Sequence, residues 1–353
     1  MSRIVLIIGG GVTGMQTALV LSELGIASLL IEKSGRLGGR VTRLSRTFPF
    51  FNEDGFNNGG EFTAELIDRV AKSARIETRL SCTLESFEGT FPDFFVRLSD
   101  GSERRVGCVV VSAGFEPFDP STLPEYGYDR YPNVITAMEL EWMLNTNGPS
   151  GGKVLRPSDG EPVKKLAIIF CVGSRNRRIG APFCSRICCS FSTKQALTVI
   201  DRHPDAEVTC FYMDVRTYDR GFEEMYSLAQ ERGVKYLRGR VSGCKELPDG
   251  NLSLKAEHTL LQKMYNGVFD LVSLSTGMRP CAEVAKIAEV LGIRRSDDGF
   301  LASKAWFRYP HDATRNGVLI AGCATGMKPI RNCMIDASAT AARAASMLRA
   351  ALA

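Results

Sequence analysis

The sequence predicts an α/β fold built from two parallel-sheet domains, one inserted into the other, and three observations carry that expectation. A β-branched run at the start, Arg3 to Ile8, leads through a glycine-rich turn into a segment with helical apolar spacing. A second strand-like run, Lys165 to Phe170, opens the same kind of unit in the middle of the chain. A third, Gly317 to Gly322, is followed by an Ala-rich helix that runs to the end of the sequence.

The size fits. At 353 residues the chain exceeds one minimal core and suits two domains, and 44% hydrophobic with 24% charged residues describes a globular chain rather than a disordered one. A net charge of +5 without a Lys or Arg run argues against a nucleic-acid partner. No apolar stretch approaches the roughly 20 residues that span a bilayer, so no membrane span is expected. The apolar start ends in three glycines and reads as a buried strand, not a leader peptide. Eleven cysteines, an odd number and mostly scattered singly through apolar segments, suit a reducing cytoplasm, where single thiols serve as small core residues.

The first strand feeds Gly9-Gly10-Gly11-Val12-Thr13-Gly14. In a dinucleotide-binding loop the first glycine permits a tight turn, the second lets the backbone approach a pyrophosphate, and the third lets helix and strand pack closely. Glu32, at the end of the next apolar run, is placed to accept hydrogen bonds from ribose hydroxyls. The loop alone does not separate NAD from FAD. The choice of FAD comes from Lys33-Ser-Gly-Arg36-Leu-Gly-Gly39-Arg40, similar to the glycine-and-arginine segment of two-dinucleotide-binding flavoproteins. A second backbone-exposing loop with cations suits the long pyrophosphate and ribityl chain; the alternative for Arg36 and Arg40 is a solvated turn.

Val109 to Gly114, with Ala113 and Gly114 at its end, and Gly317 to Cys323 resemble the closing strands of flavoprotein FAD domains. Those domains usually carry an acidic residue after the last glycine, Gly322; Cys323 stands there, removing one expected ribityl hydrogen bond. Lys328 falls close to the expected flavin ring, where a cation tunes the potential, unless it is an ordinary surface lysine. Gly-Pro crossings at 114–120 and 275–280 mark the borders of an insertion. The expected domains are thus 1–116 with 281–353, binding FAD, and an inserted Rossmann-like domain over 117–280.

In a flavoprotein that takes hydride from NAD(P)H, the strand Lys165 to Phe170 feeds a second glycine loop. Here it meets Cys171-Val-Gly-Ser-Arg175, with one glycine, so the phosphate cradle is damaged. Cys184, Cys188 and Cys189 follow, and Cys184 and Cys188 share a face if that segment is helical. Four thiolates suit a cubane iron–sulfur cluster, although the spacing is not that of common ferredoxins. Structural zinc, a redox disulfide and four buried free thiols remain alternatives on pattern alone. Arg175, Arg186 and Arg216 stand as candidate counter-charges, and His203, His258 and His311 fall in no catalytic pattern.

The motifs Cys171 to Arg175, Cys184-Ser-Arg-Ile-Cys188-Cys189, Thr193-Lys-Gln-Ala196, Gly151 to Gly160, Met213 to Tyr226 and Gly322 to Pro329 together resemble the A-type component of heterodisulfide reductases. The likeness covers nearly the whole chain. It implies a thioredoxin-reductase-like flavoprotein with a [4Fe-4S] cluster held by Cys171, Cys184, Cys188 and Cys189 in the inserted domain, and FAD in the flanking one. The sequence lacks the ferredoxin-type Cys-x2-Cys-x2-Cys-x3-Cys run of the longer methanogenic members. It also has no cysteine between Lys33 and Ser81, where Asn52 to Asn57 stand. The compact form looks most like the short A-type component of bacterial sulfur oxidisers.

That resemblance implies a cytoplasmic electron relay between flavin and cluster, without bifurcation, in sulfur oxidation. B- and C-type subunits are the implied partners, and the isolated chain is expected to form a homodimer. The flavoprotein subunit of a quinone-interacting oxidoreductase and a stand-alone NAD(P)H-dependent flavin disulfide reductase are the alternatives.

Overall fold

The computed structural model describes residues 4–47 and 59–352; the Asn52 to Asn57 stretch lies outside the described residues. The chain divides into two compact units, Met1–Thr42 with Glu61–Glu116 and Arg279–Ala353, and Arg43–Gly60 with Pro117–Met278.

In the first unit a seven-stranded sheet runs, in spatial order, Ser303–Ala305, Tyr309–Ala313, Val318–Ile320, Cys108–Val111, Val5–Ile8, Ser28–Ile31 and Ile76–Arg79. All neighbours from Val318–Ile320 onward are parallel, with Val5 opposite both Ser28 and Cys108. A parallel sheet must be covered on both faces, which explains strands that are apolar at every position. Side chains alternate across it. Val5 and Ile7 enter a core with the helix Val12–Glu23 and the helix Ile330–Leu352, whereas Leu6 and Ile8 enter another with Phe87, Phe94 and Val96 of a small antiparallel sheet and Val284 and Leu291 of the helix Glu283–Leu291.

The second unit repeats this plan. Its five-stranded sheet has the order Lys235–Arg238, Glu207–Tyr212, Lys165–Val172, Leu271–Thr276 and Val134–Thr136, parallel throughout. Leu166, Ile168 and Phe170 face the helix Cys188–Arg202, while Ala167, Ile169 and Val172 face a three-stranded antiparallel sheet spanning Val241 to Phe269.

Of the described residues, 43–47 and 59–60 group with the second unit, whereas the sequence alone suggests the first. The physical reason is a buried anchor. The Ser45 N–H and hydroxyl donate to Glu141 at 2.6 and 2.8 Å, and the Leu44 carbonyl accepts from Asn145 at 3.1 Å. Glu141 also holds the Lys194 ammonium, both side chains being fully buried, and accepts from Gln195 at 2.9 Å.

Candidate functional site

In the first unit the strand Val5–Ile8 ends at Gly9, with φ at +111° and no room for a side chain: a Cβ would stand 2.5 Å from the Ser112 carbonyl oxygen. A Cβ on Gly14 would fall 1.9 Å from the Gly9 carbonyl oxygen. Gly11, the residue capping the helix Val12–Glu23, meets nothing within 4 Å. The loop is therefore tight where helix meets strand and open where the helix N-terminus presents its free N–H groups, the form that receives a pyrophosphate.

The second glycine segment lies on the first. Gly38 N–H donates to the Gly10 carbonyl at 2.9 Å, and a Cβ on Gly39 would lie 3.2 Å from the Gly11 Cα. Glu32 braces both: one carboxylate oxygen accepts from Gly10 N–H at 2.7 Å, the other from the Ser34 N–H and hydroxyl at 2.8 Å each. Lone pairs remain for a ligand hydroxyl. On the far side Gly322, with φ at +63°, packs so closely on Thr13 that a Cβ would come within 2.4 Å of the threonine hydroxyl. Gly9, Gly10, Gly11, Thr13, Gly14, Glu32, Gly39 and Gly322 thus gather in one place.

The cations behave differently. Lys33 pairs with Glu283 at the surface, Arg36 is exposed, and Arg40 donates to the Phe115 carbonyl at 3.0 Å with its guanidinium 5.6 Å from that ring. Ala113 and Gly114 follow the strand Cys108–Val111 half-buried, Gly114 with φ at +76° and open space beside it. Lys328 is committed to the Asp336 carboxylate and, at 2.6 Å, to the Thr325 hydroxyl. Asp336 also receives the Gly322 N–H at 3.3 Å. An acidic side chain therefore reaches this turn from the helix Ile330–Leu352, something the motifs alone do not suggest.

In the second unit the loop is of another kind. The strand Lys165–Val172 pairs in register with Leu271–Thr276 until Ile169 and then shifts, a bulge that leaves Cys171 with φ at +62°. Alternation sends Phe170 toward the helix Cys188–Arg202; the bulge sends Cys171 to the same side. There it meets Cys188 and Cys189, both buried in the first turn of that helix. Cys188 and Arg175 hold Cys171 down to about 7 against the effect of burial, with Arg216 adding to the shift. Cys189 is lowered through Cys188 and, more weakly, the Arg216 backbone and charge, while contact with the Cys171 and Cys189 sulfurs, together with burial, pushes Cys188 well up. Arg175 is fixed by Asp214 at 2.6 Å.

Cys184 does not share a helix face with Cys188, contrary to the sequence expectation. The helix starts at Cys188, and Arg186, with φ at +63°, breaks the path before it. The Cys184 sulfur accepts from the Arg186 N–H at 3.3 Å, and the Ser185 hydroxyl accepts from Met278 N–H at 2.9 Å. Arg186 itself donates to the Tyr218 hydroxyl, whereas Arg175 acts on Cys171 and Arg216 on Cys171 and Cys189. Three non-glycine residues, Cys171, Arg175 and Arg186, hold the left-handed conformation within this one connection.

The donor chemistry of this face, three buried thiols with cationic neighbours and a fourth thiol on the connecting loop, fits a thiolate-bound cluster. Among the described residues, however, no three His, Cys, Asp or Glu side chains close around a single point as a bound metal requires. Beside Cys171 a pocket of about 420 Å³ including its open mouth is lined by Tyr126, Ser174, Arg175 and Arg240. It differs from the first unit's glycine loop in construction: helix follows strand there after residues 9–11, and here only after residues 173–187.

Comparison with known proteins places these features. The pyridine nucleotide-disulphide oxidoreductase family model matches residues 1–125. The Thermoplasma acidophilum thioredoxin reductase structure superposes with a TM-score of 0.65 at 15% identity, covering 98% of this chain and 99% of its own; that of Lactococcus lactis gives 0.67 at 14%, covering 99% of both. At such identities these show the fold alone. The A-type component of the H(2):CoB-CoM heterodisulfide,ferredoxin reductase of Methanothermobacter thermautotrophicus is 34% identical over 96% of this chain. The second A-type iron-sulfur component of the CoB--CoM heterodisulfide reductase of Methanopyrus kandleri is 33% identical over 98%. The chain spans 63% and 64% of the length of these two relatives. Among the described residues no helix is long and apolar enough to cross a membrane. Along nearly its whole length the chain is similar to the A-type components of heterodisulfide reductases, and its fold is that of the thioredoxin reductases.

Proposed function

We propose that the chain is a flavin- and iron–sulfur-bearing oxidoreductase subunit of a heterodisulfide-reductase-like complex. The observation that carries the reading is the bulge at Cys171, which turns a thiol onto the face of Cys188 and Cys189 at the strand end where the first unit has its glycine loop. FAD would lie on Gly9–Gly14 and Gly39, with Glu32 fixing the loop and Gly322 against Thr13 closing it. Cys171, Cys184, Cys188 and Cys189 would hold a [4Fe-4S] group, with Arg175 and Arg216 offsetting its negative charge. Bound together, a flavin and a cluster convert between two-electron and one-electron chemistry.

What the chain's own residues do is hold and shield. Asp214 fixes Arg175 beside Cys171, and the first turn of the helix Cys188–Arg202 places its dipole on the thiolates. Lys328, held by Asp336, would set the local charge near the flavin. With one cysteine constellation in this sequence, the reading is a relay of one flavin and one cluster, without bifurcation. The relatives' names as A-type components support partner subunits, and the motif resemblance supports B- and C-type partners, cytoplasmic sulfur oxidation and a homodimer in isolation.

The test is FAD, iron and acid-labile sulfide assayed on anaerobically purified protein. About one FAD and four irons per chain are expected, and Cys188→Ser is expected to lose the iron while keeping the flavin. Fewer than about two irons would overturn the cluster assignment. Rapid bleaching of the flavin by NAD(P)H would favour a stand-alone disulfide reductase instead.

A further inference from the structure

We propose that Cys323 and Cys333 form a second redox site, a dithiol in the first unit that a small disulfide oxidises to an intramolecular disulfide. Cys323 sits in the turn Gly322–Thr325 and Cys333 in the first turn of the helix Ile330–Leu352. Their sulfurs are 3.6 Å apart, and both residues are at least nine-tenths buried. In the chain's fold they belong to the first unit, whereas the four thiols assigned above belong to the second.

The two thiols are not equivalent, which is what an attacking and a resolving sulfur require. Cys323 donates to the Lys328 carbonyl at 3.6 Å and shares a hydrogen-bonding contact with Cys333; Cys333 stands beside Thr13 and feels the Lys328 charge at a helix N-terminus, where an anion is favoured. The hydrogen bond from Cys323 lowers the Cys333 thiol, and Cys323 itself is pushed well up. The scattered thiols of Cys108 and Cys244, buried without a sulfur neighbour, are pushed up to about 12. They behave as ordinary core residues.

The chemistry is thiol–disulfide exchange. The Cys333 thiolate attacks one sulfur of a low-molecular-weight disulfide, its S–S bond breaks, and one thiolate leaves. Cys323 then loses its proton and attacks the Cys333 sulfur, which releases the second thiolate. The two departing thiolates take up the two protons given by the cysteines, so the small disulfide is reduced and the protein dithiol oxidised. Left-handed Gly322 and Gly326 flank the turn and give it room to bring the sulfurs to bonding distance. Once made, the bond ties that turn to the helix whose Asp336 already receives the Gly322 N–H, and Gly322 rests on Thr13 of the glycine loop.

The experiment equilibrates the full-length, flavin-loaded chain with graded ratios of reduced and oxidised glutathione, acid-traps it, alkylates it and maps peptides by mass spectrometry. The expected result is a cross-linked peptide joining the segments around residues 323 and 333, lighter by two hydrogens than the reduced pair. It should grow with the oxidised fraction and be absent from Cys323→Ser and Cys333→Ser. Should either variant fail to fold, the wild-type peptide alone decides the matter. Both thiols alkylated at every ratio, or each carrying its own glutathione without a bridge, would overturn the proposal. The readout uses neither iron nor turnover, so it stands or falls apart from the cluster assignment.

Discussion

Two glycines three residues apart separate folding from cofactor binding. In Gly14→Ala the new methyl would stand 1.9 Å from the Gly9 carbonyl oxygen and 2.9 Å from the Ser112 hydroxyl. The first is a backbone atom of a loop pinned between the strand Val5–Ile8 and Ser112, so no side chain can swing aside. The helix Val12–Glu23 has to withdraw by roughly 1 Å, an overpacking that costs about 1–3 kcal/mol. The helix N-terminus moves with it, and the anion site is lost as well. In Gly11→Ala the methyl meets no protein atom within 4 Å and φ is already −74°, so the fold has nothing to relieve. The methyl instead occupies the approach of the pyrophosphate.

Apoproteins are to be compared by thermal unfolding, since bound FAD would add its own stabilisation. Flavin retention through gel filtration is then read from the visible spectrum. Gly14→Ala is expected to melt several degrees lower and to lose FAD. Gly11→Ala should melt with the wild type yet bind FAD at least about tenfold more weakly, roughly 1.4 kcal/mol. A Gly11→Ala protein that keeps FAD at wild-type affinity would refute the assignment of the loop.

Further expectations follow from the second unit. Glu141→Gln strips the buried Lys194 of its counter-charge and should lower stability by about 3–5 kcal/mol in urea titrations, with much of it regained when Lys194 is replaced by Met as well. Burial, and secondarily the Arg202 charge, hold His203 below its ordinary 6.5, and its ring nitrogen accepts from Val154 N–H at 3.4 Å. Just below pH 6.5 the unfolded chain therefore binds more protons than the folded one. Stability should decline as pH falls through that window and level off below the folded value; a His203→Gln protein should lose this component of the urea midpoint's pH dependence. Thr136→Ala removes a reciprocal capping box with Glu139 from the helix Ala137–Leu144 and should cost about 1 kcal/mol, measured the same way.

The readable parts of this molecule were those set by neighbours in sequence. Strand, glycine loop and helix at residues 5–23 are local, and the apolar purity of Val5–Ile8, Cys108–Val111 and Leu166 to Phe170 announces strands buried on both faces. A shared helix face for Cys184 and Cys188 is conditional on a helix there, and helical spacing cannot reveal that Arg186 takes a left-handed turn before the helix begins. The bulge at Cys171 depends on its pairing with a strand about a hundred residues later, and Ser45 joins the second unit through the Glu141 carboxylate. The Cys323–Cys333 contact was open to sequence reasoning in part, since both flank the same turn, but the facing of the two sulfurs depends on how the helix Ile330–Leu352 docks.

The left-handed backbone at Cys171, Arg175 and Arg186 has a consequence for anyone engineering this protein. Each would sit more comfortably as glycine, by about 1 kcal/mol, so a search for thermostable variants will be drawn to these three positions. At Cys171 the gain comes with the loss of a thiol that reaches Cys188 and Cys189 from the sheet. Stability selected without a redox screen would therefore lead away from function here, and thermal hardening belongs at sites such as the surface turns instead.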